Sequence, residues 1–431
     1  MKYILSLMAV TLLYCFTVSA NGHRGAKGFI RVSDGHLYKP GYESPYYFIG
    51  TNMWYAPILA SKGQGGNRKR LKKELDALQK MGVENLRILV GAETGSANAN
   101  TVYPVLQNNE GELNDTLLDG LDYLLREMEK RNMTGVFYLN NAWDWSGGYS
   151  FYLKQAGLPD SPCAAGDGYN DYVKYAANFS LNEQAQKLFL NYIRKIVTRR
   201  NRYTGKAYKD SPAIMAWQIC NEPRPFSNEA KQGFARWLSQ AAAIIKEADP
   251  NHLVSTGSEG YYGCATDMTL CEEIHNDPNI DYITLHIWPV NWQWSSRGSL
   301  YASLPNVYVK ASEYIEMHEH FAQKSGKPII IEEFGYPRER NKYQPGSNTL
   351  SRDAFYNFIF GKVQESKQQK GIIAGCNFWG WGGYGRPTEE VWKTGYDYIC
   401  DPPHEPQGWY SVFDCDTTTT DIITKAVSSL R

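Results

Sequence analysis

The chain has 431 residues, equal numbers of acidic and basic side chains, and a formal net charge of zero. No basic run stands out, which argues against nucleic acid and anionic membrane as partners. Aromatic residues make up 14% of the chain, twelve of them Trp; that exceeds the needs of a core, and flat amphipathic rings suit stacking on sugar faces.

Residues 1–20 carry Lys2, an apolar run from Ile4 to Val18, and the small-residue ending Val18-Ser19-Ala20. This is the pattern of a secretory signal, and the run is too short to span a membrane comfortably. It predicts cleavage after Ala20, export to an extracellular or periplasmic space, and no membrane-spanning segment. Cys15 raises a lipoprotein alternative, which the bulky Leu13 and Tyr14 before it oppose. Removing the signal leaves seven cysteines, an odd number. Cys264 with Cys271 and Cys400 with Cys415 are candidate disulfides, whereas Cys220 and Cys376 lie in strand-like runs and read as small buried hydrophobes. No Cys/His spacing suggests a metal site. No linker, composition break or repeat divides residues 21–431, so one domain, acting as a monomer, is expected.

The mature chain opens with a hairpin over 29–48, turned at Ser33-Asp34-Gly35 and placed to plug one end of a barrel. Short apolar runs then alternate with amphipathic stretches, the rhythm of repeated βα units and a parallel sheet. Eight strands are predicted at 46–52, 85–90, 135–140, 213–221, 252–256, 282–286, 328–333 and 375–379. Helices are predicted at 68–81, 116–131, 181–200, 228–247, 351–369 and 419–430. The fold expected is a (β/α)8 barrel, with long aromatic loops after the third, sixth and eighth strands walling one face.

Two glutamates end apolar, β-branched runs: Glu222 in Trp-Gln-Ile-Cys-Asn-Glu-Pro, and Glu333 in Pro-Ile-Ile-Ile-Glu-Glu-Phe-Gly. In a (β/α)8 barrel the C-terminal strand ends converge, so acids far apart in sequence meet across one cleft. Two facing carboxylates are what glycosidic-bond hydrolysis requires. Glu332 and Glu333 are adjacent on a strand, and alternation by itself does not choose which faces the lumen; the other is expected to pair with a cation behind the sheet. Arg87, charged inside the apolar run Asn-Leu-Arg-Ile-Leu, needs an anionic partner. Asn221 offers an amide beside Glu222, suited to a sugar 2-hydroxyl. His286 and Trp288 end the sixth strand and Trp379 the eighth, where an indole can floor a sugar site. Asn140, Asn141 and Trp143 end the third, and Asn52, Trp54 and Tyr55 the first. The carboxyl of Glu222 is expected to be raised by burial and by Glu333.

These segments resemble glycoside hydrolase family five, in the endo-β-1,4-mannanase subfamily seven, across nearly the whole mature chain. The carrying motifs are Gly50-Thr-Asn-Met-Trp54, Asn85-Leu-Arg-Ile-Leu-Val-Gly91, Leu139-Asn-Asn-Ala-Trp-Asp-Trp-Ser-Gly-Gly148, Trp217-Gln-Ile-Cys-Asn-Glu-Pro-Arg224, His286-Ile-Trp-Pro289, Glu332-Glu-Phe-Gly335 and Phe378-Trp-Gly-Trp-Gly-Gly383. The resemblance implies Glu222 as acid/base and Glu333 as nucleophile, because the family's nucleophile directly precedes an aromatic-Gly pair. It also implies Arg87, Asn221, His286 and Trp379 at the remaining active-site positions, a β-mannan polysaccharide as substrate, and no cofactor. Trp288 departs from the pattern, standing where many members have a Tyr that bonds the nucleophile. The rival readings are a β-1,4-glucanase, an exo-acting or transglycosylating mannanase whose loops block one end of the cleft, and a glycan-binding protein without hydrolysis.

Overall fold

The computed structural model describes residues 28–431 apart from Asn98; the predicted export signal lies outside them. A hairpin of β1 (Arg31–Ser33) and β2 (His36–Tyr38) precedes eight parallel strands: β3 (Phe48–Asn52), β4 (Asn85–Leu89), β5 (Thr134–Tyr138), β6 (Ile214–Gln218), β7 (Leu253–Ser255), β8 (Ile283–Ile287), β9 (Ile329–Phe334) and β10 (Ile373–Phe378). Their order in the sheet is β7-β6-β5-β4-β3-β10-β9-β8. The seam between β7 and β8 is spanned by Asp281 N to Val254 O at 2.8 Å and His286 N to Glu259 O at 3.1 Å. The strands are the expected (β/α)8 barrel, each buried throughout except for the first residue of β5.

The hairpin does plug one end. Ile30, Val32 and Leu37 pack with Phe48, Val136, Met215, Ala216, Leu253, Tyr282, Ile330 and Ala374, side chains from seven of the barrel strands and their edges. Burying each large side chain of the hairpin contributes about 1.5–3 kcal/mol. The hairpin leaves free the opposite end, where the strands finish.

Helices form where caps and apolar spacing agree. Arg68–Met81 starts at Asn67, whose side chain accepts from Arg70 N, ends at left-handed Gly82, and buries Leu71, Leu75 and Leu78 at i, i+4 and i+7. Asp115–Glu129, Glu183–Val197, Lys231–Ala248, Leu350–Gln369 and Thr417–Ser429 match the remaining predicted helices to within a turn. Leu300–Ser325, the 26-residue helix that joins β8 to β9, carries Pro305 inside it, and that residue reads as a helix breaker in sequence. Gly148–Gln155 and Tyr169–Ala176 also lie in a stretch expected to be a loop, and Met268–Asn276 is a further helix not among those predicted.

All seven described cysteines are free thiols. The Cys400–Cys415 expectation fails because Cys400 is sealed under the barrel mouth while Cys415 is exposed. Cys264 and Cys271 are both buried, with their thiols in contact as thiols.

Candidate active site

Arg87, on β4 and fully buried, organises the strand ends. Its Nε donates to Gln218 Oε1 at 2.8 Å, Nη1 to Asn52 Oδ1 at 3.1 Å, and Nη2 to Asn221 Oδ1 at 2.8 Å, while Nη1 also forms a short ion pair with Glu333 Oε1. A planar guanidinium meets four acceptors in fixed directions, which a lysine ammonium does not. Asn221 is held from its other side by donating Nδ2 to Asn141 Oδ1 at 3.0 Å.

Glu332 is not paired behind the sheet, as alternation led one to expect. It accepts from Gln218 Nε2 and, at 3.1 Å, from Tyr282 Oη, and it lies 3.6 Å from Arg87 Nε. The β8–β9 ladder shifts register between Leu285 and His286, and both consecutive acids bear on one guanidinium from two levels of the lumen.

Glu222 follows β6 with φ +48°, a left-handed backbone that is rare for a residue with a side chain and is locally strained. Its Oε1 lies 2.9 Å from His286 Nδ1, and its Oε2 accepts from Trp143 Nε1 at 2.6 Å. The same His286 Nδ1 is 3.3 Å from Glu333 Oε2. One ligand-type atom from each of Glu222, His286 and Glu333 falls within a 4.8 Å group, the only such metal-capable trio among the described residues. Hydrogen bonding already occupies its His286 atom.

Burial pushes Glu222 up, but the hydrogen bond and charge of His286, the charge of Arg224 and the Trp143 bond outweigh it and hold the carboxyl down at about 2. This corrects the expected rise: the opposing groups are Arg224 two residues on, His286 in β8 and Trp143 in the loop after β5. Burial pushes Glu333 up, with Arg87 opposing and the charge of Glu222 reinforcing. The charge of His286 depends on its being protonated, and burial holds that ring down to about 4. At neutral pH the ring is therefore neutral, and Arg224 is taken up by its own ion pair with Glu259. Arg87 remains in direct contact with Glu333 and favours its ionised form, while the like charges of Glu222 and Glu333 oppose ionisation of both, so the two carboxyls titrate as a pair.

The cleft around this pair has a volume of about 810 Å³, and its lining includes Trp143, Asn221, Glu222, Trp288, Glu333 and Trp379. Trp288 meets Trp379 edge-on at 5.8 Å and Tyr410 at 5.2 Å. Two expected sugar contacts do not reach the cleft. Trp54 is 1% exposed, packs under Trp145 and donates Nε1 to Cys400 O at 2.8 Å. Asn141 is fully buried and serves Asn221 and the Trp143 backbone. Sequence reasoning missed Arg224, Glu259, Tyr262, Asn291 and Glu405, all of which line the cleft. Glu259, in Gly257-Ser-Glu-Gly260 just past the fifth barrel strand, carried the same strand-end signal as the two acids that were found. A second hollow of about 380 Å³ lies beside the plugged end; its Glu84 is ion-paired with Lys39 and Arg431.

A sequence profile described as "GH family 5 beta-mannosidase-like" matches residues 27–431. Mannan endo-1,4-beta-mannosidase 1 of Oryza sativa subsp. japonica is 28% identical over 94% of this chain and 87% of its own length. Among solved structures, the glycoside hydrolase family 5 mannosidase of Rhizomucor miehei aligns with a TM-score of 0.85 and 34% identity, covering 94% of this chain and 97% of that one. The endo-1,4-beta-mannanase of the same fungus aligns with a TM-score of 0.67 at 22% identity over 93% and 99%, a likeness of fold.

Proposed function

We propose, from the premise that this chain belongs to glycoside hydrolase family 5 in its beta-mannosidase-like group, that it hydrolyses internal β-1,4 bonds of mannan, galactomannan or glucomannan with retention of configuration. The observation that carries the mechanism is the approach of Glu222 and Glu333, with carboxylate oxygens within 4.8 Å of each other. That spacing suits direct attack by one carboxylate, for which about 5–5.5 Å is usual, and leaves no room for the water of an inverting enzyme.

In this reading Glu222 protonates the leaving glycosidic oxygen while Glu333 attacks the anomeric carbon, forming a glycosyl-enzyme. Glu222 then takes a proton from water, which displaces Glu333. Arg87 keeps Glu333 ionised and oriented. Asn221, fixed by Arg87 and Asn141, turns its remaining N–H toward the 2-hydroxyl, and Trp379 supplies an apolar floor. The chemistry is complete with these side chains and calls on no cofactor.

The rice relative is named for endo cleavage of mannan, which supports action on internal bonds. A second reading, release of sugars from chain ends, is favoured by the greater likeness to the Rhizomucor miehei mannosidase, a mutant of which was solved with mannosyl-fructose. Export rests on residues 1–20; among the described residues no helix is long and apolar enough to cross a membrane.

The test is the product profile from linear β-1,4-mannan, galactomannan, glucomannan and carboxymethyl-cellulose, with E333A as control and the anomer of the first product read by NMR. Mixed β-configured manno-oligosaccharides, absent with E333A, are expected. Mannose alone would select the chain-end reading, α-configured products would exclude retention, and preference for the cellulose derivative would move the substrate to glucan.

A further inference from the structure

One buried acid has no part in the chemistry above. Past β4 the chain continues through Val90, Gly91 and Ala92 to Glu93, which is 1% exposed. It is bonded to the turn 141–148 after β5, the turn that brings Asn141 and Trp143 to the strand ends. The titratable groups that bear on Glu93 are Tyr152 of helix Gly148–Gln155, Tyr192 of helix Glu183–Val197 and Cys220 just past β6. No Lys or Arg among the described residues pairs with it.

Glu93 holds the turn at two points. Its backbone N donates to Ser146 O at 2.9 Å, and its Oε2 accepts from Gly148 N at 3.1 Å. The turn is folded tightly enough to need glycine twice: Gly147 has φ +85° and Gly148 φ +58°, and a Cβ on Gly147 would stand 2.6 Å from Glu93 O. From the turn, hydrogen bonds lead to the acid. Ser146 Oγ accepts from Asn141 Nδ2 at 3.0 Å, and Asn141 Oδ1 accepts from Trp143 N at 3.2 Å and from Asn221 Nδ2 at 3.0 Å. Trp143 Nε1 then donates to Glu222 Oε2 at 2.6 Å.

Stacking by itself does not aim that N–H. Trp143 lies nearly parallel to Tyr169 and Tyr172, with ring centroids 6.1 and 6.0 Å away. Offset stacking sets the plane of an indole but lets it slide within that plane, whereas a hydrogen bond weakens steeply once the N–H turns aside. The backbone that carries the ring has to be fixed as well, and supporting hydrogen bonds behind it do this.

The Glu93 carboxyl makes its contacts in either protonation state. Tyr152 Oη stands 3.2 Å from Glu93 Oε1 and 3.2 Å from Gln107 Oε1. As a carboxylate, Glu93 accepts the single tyrosine hydrogen; as an acid, it donates to Tyr152 and releases that hydrogen to Gln107. Burial pushes the carboxyl up to about 8, so the acid form prevails at neutral pH. Glutamine reproduces it, accepting from Gly148 N and donating to Tyr152.

We propose that Glu93 is a positioning residue: by pinning the turn 141–148 to the end of β4, it sets the Trp143 N–H against Glu222 and Asn141 against Asn221. This rests on the reading of Glu222 as the acid of a β-mannosidic hydrolase.

The experiment compares wild type, E93L, E93Q and S146A on linear mannan across pH, with melting temperatures, and repeats E93L in a W143F background. E93L keeps the volume and removes the bonding oxygens. It is expected to lose about tenfold in kcat with KM within about twofold, and to move the alkaline limb of kcat/KM to higher pH, as loss of the Trp143 bond does. S146A, which removes only the Asn141 bond, should move the limb the same way. E93Q should recover most of the loss, and E93L should move the limb no further once Trp143 is Phe. A lowered melting temperature with the limb unmoved would overturn the proposal, leaving Glu93 a purely structural role. So would a shift to lower pH, the sign expected from merely deleting a negative charge near Glu222, or a shift of equal size in the W143F background. Should E93L fail to fold, S146A decides, and a wild-type kcat and limb there would overturn the proposal. A wild type silent on mannan would remove the hydrolase reading and this inference with it.

Discussion

Arg87 and Glu333, 246 residues apart in sequence, form an ion pair inside the barrel lumen with both side chains almost completely removed from solvent. The pair is not isolated. Glu332 approaches the same guanidinium from below, and Asn52, Gln218 and Asn221 accept its other hydrogens. A buried charge pair is tolerated only when its remaining hydrogen-bonding capacity is met, and the partners on or just past β3, β6 and β9 supply what this one needs.

Arg87→Lys keeps the charge but not the fork. It leaves some of the acceptors on Asn52, Gln218 and Asn221 unpaired, which is expected to cost about 2–4 kcal/mol of stability. Activity is expected to fall about 100-fold as Asn221 and Glu333 lose their orientation. Urea unfolding and steady-state kinetics on mannan measure both; an R87K enzyme of wild-type kcat would remove Arg87 from the mechanism.

Glu332 and Glu333 are separated by their chemistry, not by their burial. E333Q is expected to abolish glycosyl-enzyme formation and to reduce kcat by about 10⁴-fold or more. E332Q keeps an acceptor for Tyr282 and is expected to retain most of the activity with lower stability. Trapping with a slow-leaving fluorosugar and mass mapping of the labelled peptide decides; label on Glu332 would reverse the assignment.

Trp143 donates to Glu222 Oε2, and a hydrogen bond to the ionised form lowers a carboxyl pKa. Trp143→Phe removes that donor and keeps most of the ring. The pKa of Glu222 should rise, so the alkaline limb of kcat/KM, where the acid loses its proton, moves to higher pH. A limb that stays in place on a pH profile would show that the bond does not tune the acid.

Glu93 is a buried acid outside the Glu222–Glu333 pair, accepting from Gly148 N at 3.1 Å and Tyr152 Oη at 3.2 Å. Burial, only partly offset by those bonds, pushes its carboxyl up to about 8. The folded chain thus keeps a proton that the unfolded chain releases above about pH 4.5. Its contribution to stability is fully present below that value and is lost as pH rises to about 8, a swing of a few kcal/mol (~1.4 per unit). Glu93→Gln stays neutral throughout, so its melting temperature should gain on wild type as pH rises from 4.5 to 8. Parallel curves for the two proteins would show that Glu93 is ionised when folded.

The thiols give a direct check on packing. Cys415 is exposed and Cys163 half-exposed, while Cys220, Cys264, Cys271, Cys376 and Cys400 are buried. An aromatic disulfide reagent is expected to modify Cys415 and Cys163 in the native protein and the other five only after denaturation. Fast native modification of Cys400 would mean that segment 384–411 opens.

The barrel, its hairpin plug and the two acids were legible in the sequence, for a physical reason. Parallel strands buried on both faces leave unbroken β-branched runs, and a polar residue at the end of such a run is costly enough to be noticed. Arg87, Asn221, His286, Trp143 and Trp379 were found by the same logic and do meet around the cleft. Trp54 and Asn141 obeyed it too, yet they lie beneath the cleft, because a strand end says that a side chain is near the mouth and not which neighbour will cover it. The donor set that holds Glu222 down, the approach of both Glu332 and Glu333 to Arg87, and the place of Glu405 in the cleft lining were decided by tertiary structure alone. Each depends on where segments remote in sequence come to rest, and neither the periodicity of a strand nor the composition of a loop encodes that distance.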